Sequence, residues 1–150
     1  MSEFDPLKLQ NQLCFPLYAG AKEIVRMYTP LLRGIDLTYT QYIAMMVLWE
    51  ERELTVKEMG KRLFLDAGTL SPLLKKLEQR GLITRRRHSG DERSVVLTIT
   101  EAGMTLRRRA ESIPEKIGSC IPLSADESRT LYGLLYKILD HVKENEHDCV

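Results

Sequence analysis

Apolar positions between residues 55 and 80 recur with the 3.6-residue period of two helices that each bury one face. The second helix has the clearer stripe, formed by Leu70, Leu73, Leu74 and Leu77. Thr55 opens the first helix in the sequence Thr-Val-Lys-Glu, where the hydroxyl and the carboxylate can each bond an unpaired backbone N–H. Asp66 is favoured over Thr69 as the cap of the second helix, which places Pro72 inside that helix.

After residue 82 the pattern changes to that of a β-hairpin. Residues 83–88 and 93–99 are rich in Val, Ile, Thr and Arg, and Ser89-Gly90-Asp91-Glu92 lies between them as a turn. An isolated hairpin is marginal in water, so this one must pack against the helices and leave its polar tip exposed. Two capped helices followed by a two-stranded wing predict a winged helix-turn-helix.

Further helices are predicted on both sides of this unit. Thr38-Tyr39-Thr40-Gln41 is a capping box that opens a supporting helix to about Glu51. Thr100 caps a helix that we expect to bend at Pro114, and Ser124 caps another. The apolar face after Thr100 comprises Leu106, Ala110, Ile113 and Ile117, and an N-terminal helix is indicated by Leu9, Leu13, Leu17, Ile24 and Met27. The predicted fold class is mainly α with a small β-hairpin wing (α+β), in a single domain of residues 1–150.

The last predicted helix carries an apolar stripe too broad to leave in water. Its members are Leu131, Leu134, Leu135, Ile138, Leu139 and Val142. The winged unit, about 38–99, offers little surface to cover them, so we expect the helices at about 5–33 and 101–145 to form a two-fold homodimer. Such a dimer places two recognition helices about 34–36 Å apart, one turn of DNA, and suits a pseudo-palindromic operator.

Composition and charge indicate the partner. With 150 residues, 43% of them hydrophobic, the chain is long enough for one domain with a core. The formal net charge is only +1, whereas residues 57–93 hold 10 Lys or Arg against 5 Asp or Glu. Positive charge gathered in one part of a nearly neutral protein favours local docking on double-stranded DNA over nonspecific polyanion binding.

Ten residues are predicted to meet the DNA, and we call them the reading surface. Five lie on the helix face opposite the leucines, namely Thr69, Ser71, Lys75, Lys76 and Gln79; five lie on the wing, namely Arg85, Arg86, Arg87, Asp91 and Arg93. A helix in the major groove can bring the first group to phosphates or base edges. Asp91 can hold Arg93 in a pose for phosphate or minor-groove contact. The alternative is a solvated helix face and a weak surface ion pair.

Other classes of function find little support. No leader and no apolar run near 20 residues is apparent, so we expect a cytoplasmic protein with no membrane contact. No Gly-rich phosphate loop, nucleophile elbow or HExxH motif is present, which predicts neither an enzyme nor a cofactor. His147 and Cys149 are the only His and Cys close in sequence, and we expect no metal site.

The residues also carry a family resemblance. The segment D-A-G-T-L-S-P-L-L-K-K-L-E-Q-R-G-L-I at 66–83 and D-E-R at 91–93 resemble the MarR family of winged-helix regulators. N-Q-L-C-F at 11–15, Y-T-P-L-L at 28–32 and L-T-Y-T-Q-Y at 37–42 resemble its OhrR branch, which senses organic hydroperoxides through one cysteine. The resemblance implies a repressor of transcription in oxidative stress.

The same resemblance implies residue roles. Cys14 is the sensing thiol, and Tyr28 and Tyr39 of the partner subunit donate hydrogen bonds that favour its thiolate. A hydroperoxide oxidises the thiolate to sulfenic acid, the tyrosine network breaks, and the repressor leaves its operator. Apolar neighbours, namely Phe15, Leu17 and Met45, favour organic hydroperoxides over hydrogen peroxide.

Two further thiols and one proline qualify this picture. Cys120, and less directly Cys149, are candidates to resolve oxidised Cys14 as an intersubunit disulfide; otherwise a small thiol caps the sulfenic acid. Pro16 departs from the resembled pattern and places Cys14 either at a kink or in the first turn of its helix.

Three alternatives stay open. One is a MarR-like repressor released by a small aromatic ligand, which needs no reactive thiol. Another is a broader thiol-based global regulator. The third is a thiol peroxidase, which needs turnover but no DNA affinity.

Overall fold

A computed structural model of the chain describes residues 5–145. The helices are α1 (Cys14–Arg33), α2 (Tyr39–Glu51), α3 (Val56–Leu63), α4 (Ala67–Gln79), α5 (Glu101–Ala110), α6 (Ile113–Cys120) and α7 (Ala125–Glu144). The strands are β1 (Glu53–Thr55), β2 (Ile83–His88) and β3 (Asp91–Ile99). The chain forms two compact units, the first ending at Pro114 and the second beginning at Glu115.

The predicted helix caps are present. The Thr38 hydroxyl accepts the backbone N–H of Gln41 at 3.3 Å, and the Thr55 hydroxyl accepts that of Glu58 at 3.1 Å. Asp66, not Thr69, caps α4, because its carboxylate accepts the N–H of Thr69 at 2.8 Å. These short-range bonds satisfy N–H groups that have no partner inside the helix, so these three helices begin where the sequence predicts.

The wing is larger than predicted. The sheet has three antiparallel strands in the order β1-β3-β2, not two, with Leu54 opposite Leu97 and Arg86 opposite Val96. The turn is also shorter, since β3 begins at Asp91 rather than Arg93. Three residues are too few to show strand alternation, so β1 is fixed by its distant partner β3 and not by its own sequence.

The core of the first unit lies between α2, α3, α4 and the sheet. Its fully buried side chains include Leu48, Met59, Leu70, Leu77 and Leu97. All four predicted leucines of α4 are buried, and Pro72 lies inside that helix as expected. The observed architecture confirms the mainly α fold with a β wing.

The single helix predicted after Thr100 is two helices in the structure. The segment after Thr100 ends as α5 at Ala110 and restarts as α6 at Ile113, so a single helix bent at Pro114 was wrong. Pro114 takes the second position of α6, in a first turn whose N–H groups need no intrahelical partner. The predicted apolar positions are nevertheless buried, namely Leu106, Ala110, Ile113 and Ile117.

The terminal helices leave apolar side chains uncovered. α1 begins at Cys14, later than the expected boundary near residue 5, and Leu9 lies in a separate 3-10 turn. Leu13, which directly precedes α1, and Leu17 on α1 are both exposed. α7 contains no buried residue, although Leu134 and Ile138 lie on its apolar stripe. Each helix therefore has an apolar face without a partner in its own unit.

Candidate functional site

The outer face of α4 is exposed along its length. Burial of its leucines fixes the rotation of the helix, so the predicted polar group points to solvent: Thr69, Ser71, Lys75, Lys76 and Gln79. Ser71, Lys75 and Gln79 are spaced by four and form one strip. Thr69 is the exception, because its hydroxyl donates to Asp66 at 3.1 Å and thereby belongs to the cap.

Two wing arginines are held by the fold. A guanidinium nitrogen of Arg85 lies 2.8 Å from Glu78 on α4, and one of Arg86 lies 3.1 Å from Glu53 on β1. Hydrogen bonds from Thr98 and then Arg86 hold the pKa of Glu53 below its usual value. Arg85 and Arg86 therefore each have a carboxylate partner within the chain, and their predicted contact with DNA stays a prediction.

The wing tip differs from its predicted arrangement. The Asp91 carboxylate accepts the backbone N–H of Arg93 at 3.0 Å. Within residues 5–145 no ion pair joins the two side chains, so the expected Asp91–Arg93 side-chain contact was wrong. The carboxylate shapes the backbone of the turn, which leaves the exposed guanidinium of Arg93 able to reach a partner.

Cys14 is the exposed first residue of α1. Pro16 follows within the first turn, so of the two predicted settings for the thiol the first turn is correct. No acidic residue lies in that turn. Cys120 is the exposed last residue of α6, whereas Cys149 and His147 lie outside the described residues.

Tyr28 and Tyr39 are brought together where α1 packs against α2. Their ring centroids are 4.9 Å apart, and Tyr42 lies 5.8 Å from Tyr28. Burial raises the pKa of Tyr28 and of Tyr39 above 10.0, and Tyr39 raises that of Tyr28 further. Both hydroxyls therefore keep their protons at neutral pH and can only act as neutral groups that donate or accept hydrogen bonds.

These hydroxyls have room for an external acceptor. In the described part of the chain neither Tyr28 nor Tyr39 makes a side-chain hydrogen bond, and no buried side-chain oxygen or nitrogen lacks a partner. The two hydroxyl oxygens are therefore reached by solvent.

One chain does not bring the thiol to the tyrosines. Cys14 and Tyr28 are fourteen positions apart on the same helix, which at 1.5 Å per residue is about 21 Å. Met45 was expected beside the thiol, but this residue of α2 is 0% exposed and belongs to the hydrophobic core. Phe15 and Leu17 remain as exposed apolar neighbours of Cys14.

Two aromatic residues behind the tyrosine pair were not predicted as part of the site. Tyr42 and Trp49 lie seven positions apart on one face of α2, with ring centroids 6.2 Å apart. The indole N–H of Trp49 donates to the backbone oxygen of Gly103 on α5 at 2.8 Å. The seven-residue spacing was visible in the sequence, but the acceptor on α5 was not.

Among residues 5–145 there is no group of three or more His, Cys, Asp or Glu side chains that could hold a metal ion. None of the helices in that range is both long enough and apolar enough to span a bilayer.

Comparison with known proteins gives consistent matches. A family model described as transcriptional regulator SarA/Rot matches residues 26–109. The chain is 48% identical over 139 residues to the organic hydroperoxide resistance transcriptional regulator of Bacillus subtilis (strain 168), covering 93% of this chain and 95% of that protein.

Two solved structures of AbfR, a protein of Staphylococcus epidermidis, are also similar. Reduced AbfR bound to DNA is 35% identical with a TM-score of 0.72, covering 89% of this chain and 93% of that one. Disulfide-formed AbfR is 36% identical with a TM-score of 0.60, covering 91% and 92%.

Proposed function

The chain belongs to the MarR- and SarA/Rot-type winged-helix transcriptional regulators, and from that premise we propose that it is a repressor that leaves its operator when an organic hydroperoxide oxidises Cys14. The observation that carries this proposal is the exposed thiol at the start of α1, together with two protonated, unpartnered tyrosine hydroxyls. The similarity to an organic hydroperoxide resistance regulator supports the choice of signal.

DNA binding is assigned to the outer strip of α4 and the wing tip. Ser71, Lys75 and Gln79 face the major groove when α4 is inserted there. Arg87 and Arg93 are exposed and take part in no ion pair within the described residues, so both are available for phosphates or the minor groove. Arg85 and Arg86 instead position the wing through Glu78 and Glu53.

The sensing step is a two-electron oxidation of one thiolate. The sulfur of Cys14 attacks an oxygen of the hydroperoxide, an S–O bond forms and the O–O bond breaks. The leaving alkoxide takes up a proton and departs as an alcohol, so the sulfur is oxidised and the peroxide reduced. Cys14 becomes a sulfenic acid.

The tyrosine donors must come from a second copy of the chain. Cys14 and Tyr28 lie near opposite ends of α1, so two α1 helices that pair antiparallel about a two-fold axis place each thiol near the other copy's Tyr28 and Tyr39. The exposed apolar side chains of α1 give such a pairing its hydrophobic surface. Loss of the thiolate then removes the charged acceptor that both hydroxyls share.

Cys120 provides a route for the oxidised state. Its thiolate can attack the sulfenic sulfur of the partner subunit's Cys14; an S–S bond forms, the S–O bond breaks, and the leaving hydroxide takes up a proton from solvent to become water. A small-molecule thiol can carry out the same reaction. The related protein AbfR has been solved in a disulfide form, which supports the first route by similarity.

The test is the fluorescence anisotropy of labelled DNA from the region upstream of the gene. Reduced wild-type protein and Cys14→Ser are compared before and after one equivalent of tert-butyl hydroperoxide. We expect release of the wild type, no release of Cys14→Ser, and recovery with dithiothreitol. Non-reducing gels of the same samples separate a Cys120 disulfide, which gives a covalent dimer, from capping by a small thiol.

Each contrary outcome has a clear meaning. Release of Cys14→Ser by the hydroperoxide removes Cys14 as the sensor. Tight binding that no oxidant affects leaves a regulator controlled by a ligand, for example a small aromatic molecule. Multiple turnovers of peroxide with a reductant, without affinity for DNA, indicate a thiol peroxidase.

A further inference from the structure

The face of α2 that carries Tyr39 and Tyr42 continues to the other end of the helix. Tyr42 packs against Tyr28 and Tyr39 with ring centroids 5.8 and 6.5 Å away, and against Trp49 at 6.2 Å, nearly edge to face. Tyr42 and Trp49 are both buried. A row of packed rings thus leads from the tyrosine pair to the far end of α2.

Trp49 ends this row at a rigid contact. Its N–H donates to the oxygen of Gly103, in the first turn of α5. Gly103 is itself pressed against the chain before it: a side chain there would overlap the carbonyl oxygen of Leu82 and the side chain of Ile99. Close-packed contacts of this kind pass on a displacement rather than absorb it.

Leu82 belongs to the turn that follows α4, which we call the recognition helix because its outer face is assigned to the DNA. Its N–H donates to the oxygen of Leu77 on α4 at 3.1 Å, and its oxygen accepts the N–H of Thr100 at the same distance. The Thr100 hydroxyl also donates to the oxygen of Gly81 at 2.6 Å. The start of α5 and the end of α4 are therefore tied together.

We propose that Trp49 is a positioning residue that couples the tyrosine pair of the thiol site to the recognition helix, through Gly103 and the Gly81–Leu82 turn. The proposal rests on the proposed redox function and names the path by which it acts. When oxidation removes the acceptor of Tyr28 and Tyr39, their rings move against Tyr42. Trp49 carries that movement to α5 and the turn, and α4 changes its position relative to the DNA.

A purely structural role for Trp49 makes a different prediction. A buried indole N–H usually has a hydrogen-bond acceptor, whatever the role of the residue. Loss of this hydrogen bond would then destabilise the reduced and the oxidised protein alike. A coupling role changes the ratio of the operator affinities of the reduced and oxidised protein. A change in this affinity ratio therefore distinguishes a coupling role of Trp49 from a purely structural one.

The first measurement needs no substitution in the path, because Trp49 is the only tryptophan of the chain. Reduced protein on its operator is mixed with one equivalent of tert-butyl hydroperoxide while tryptophan emission and DNA anisotropy are followed together. We expect emission to change at the same rate as release, and Cys14→Ser to show neither change. Complete release with unchanged emission overturns the proposal.

The second measurement uses Trp49→Phe, which keeps a ring but loses the N–H. We expect the ratio of reduced to oxidised operator affinity to fall by roughly two- to thirtyfold, with the rate of Cys14 oxidation unchanged. Tyr42→Phe is the matched control, since it removes a hydroxyl from the same row and keeps both the ring contact and the indole donor. It should retain the wild-type ratio.

The outcomes distinguish this proposal from the redox function itself. Wild-type release with an equal ratio in Trp49→Phe rejects the role of Trp49 and leaves the sensor in place. Failure of the wild type to respond to the hydroperoxide rejects the sensor. If Trp49→Phe does not fold, the emission measurement on the wild type decides alone.

Discussion

At the residue scale, the proposed chemistry depends on keeping Tyr28 and Tyr39 protonated. Burial of each ring disfavours the phenolate, so both pKa values lie above 10.0. At neutral pH each hydroxyl is a donor without an acceptor inside residues 5–145. A charged thiolate accepts hydrogen bonds more strongly than a neutral thiol, and in the proposed site the two hydroxyls meet such an acceptor.

We expect Tyr28→Phe to slow oxidation of Cys14 by about tenfold, because a hydrogen bond to a charged group is lost. The rate is measured with tert-butyl hydroperoxide in a Cys120→Ser, Cys149→Ser background, so that a single thiol reacts. Tyr132→Phe, an exposed tyrosine on α7, is the control and should react at the wild-type rate. Equal rates for all three proteins would remove Tyr28 from the thiol site.

At the element scale, the recognition helix depends on how it begins. The backbone N–H of Thr69, followed by its hydroxyl, holds the pKa of Asp66 below its usual value. A carboxyl whose pKa is lower in the folded state stabilises that state above its unfolded pKa, about 3.9. This stabilisation is lost as the pH falls through the lower, folded pKa.

Asp66→Asn should therefore have nearly the wild-type melting temperature at pH 7, since asparagine caps as well as aspartate. Below about pH 4 the Asp66 carboxylate of the wild type is protonated and its cap weakens, whereas the asparagine cap of Asp66→Asn does not titrate. The variant should therefore melt at a higher temperature than the wild type at low pH. Asp66→Ala should melt earlier than both at pH 7. Thermal unfolding followed by circular dichroism from pH 7 to pH 2 measures all three, and a constant difference between wild type and Asp66→Asn would contradict the role of the charge.

At the scale of the whole molecule, exposed apolar faces call for a second copy. α7 is 20 residues long and buries none of its side chains, and Leu134 is 55% exposed. α1 likewise exposes Phe15 and Leu17. Faces of this kind fit a two-fold dimer better than a monomer, and the proposed meeting of Cys14 with distant tyrosines requires the same arrangement.

Leu134→Glu should convert the dimer to a monomer at micromolar concentration, because a charge replaces buried apolar surface. We expect operator affinity to fall by about a hundredfold, since the two half-sites are no longer bound together. Lys137→Glu, on the more polar side of the same helix, is the control and should remain dimeric. Sedimentation velocity measures the state, and a wild-type monomer under these conditions would refute the dimer itself.

Local sequence signals determined much of this protein. The caps at Thr38, Thr55 and Asp66 depend on residues three positions apart, and the leucine stripe of α4 spans only eight residues, so the sequence alone could place them. The exposed face of α4 follows from the same periodicity. The motif around Cys14 similarly indicated the thiol, because it lies within one short segment.

Only the tertiary structure decided which side chains and strands already have a partner within the chain. Arg86 meets Glu53 across 33 positions, Trp49 meets Gly103 across 54, and β1 exists only because β3 pairs with it. Such contacts depend on how separate elements pack, and no periodicity within an element records them. The sequence therefore predicted the exposed face of α4 and singled out Cys14, whereas folding decided which wing arginines pair with carboxylates and how the aromatic row meets α5.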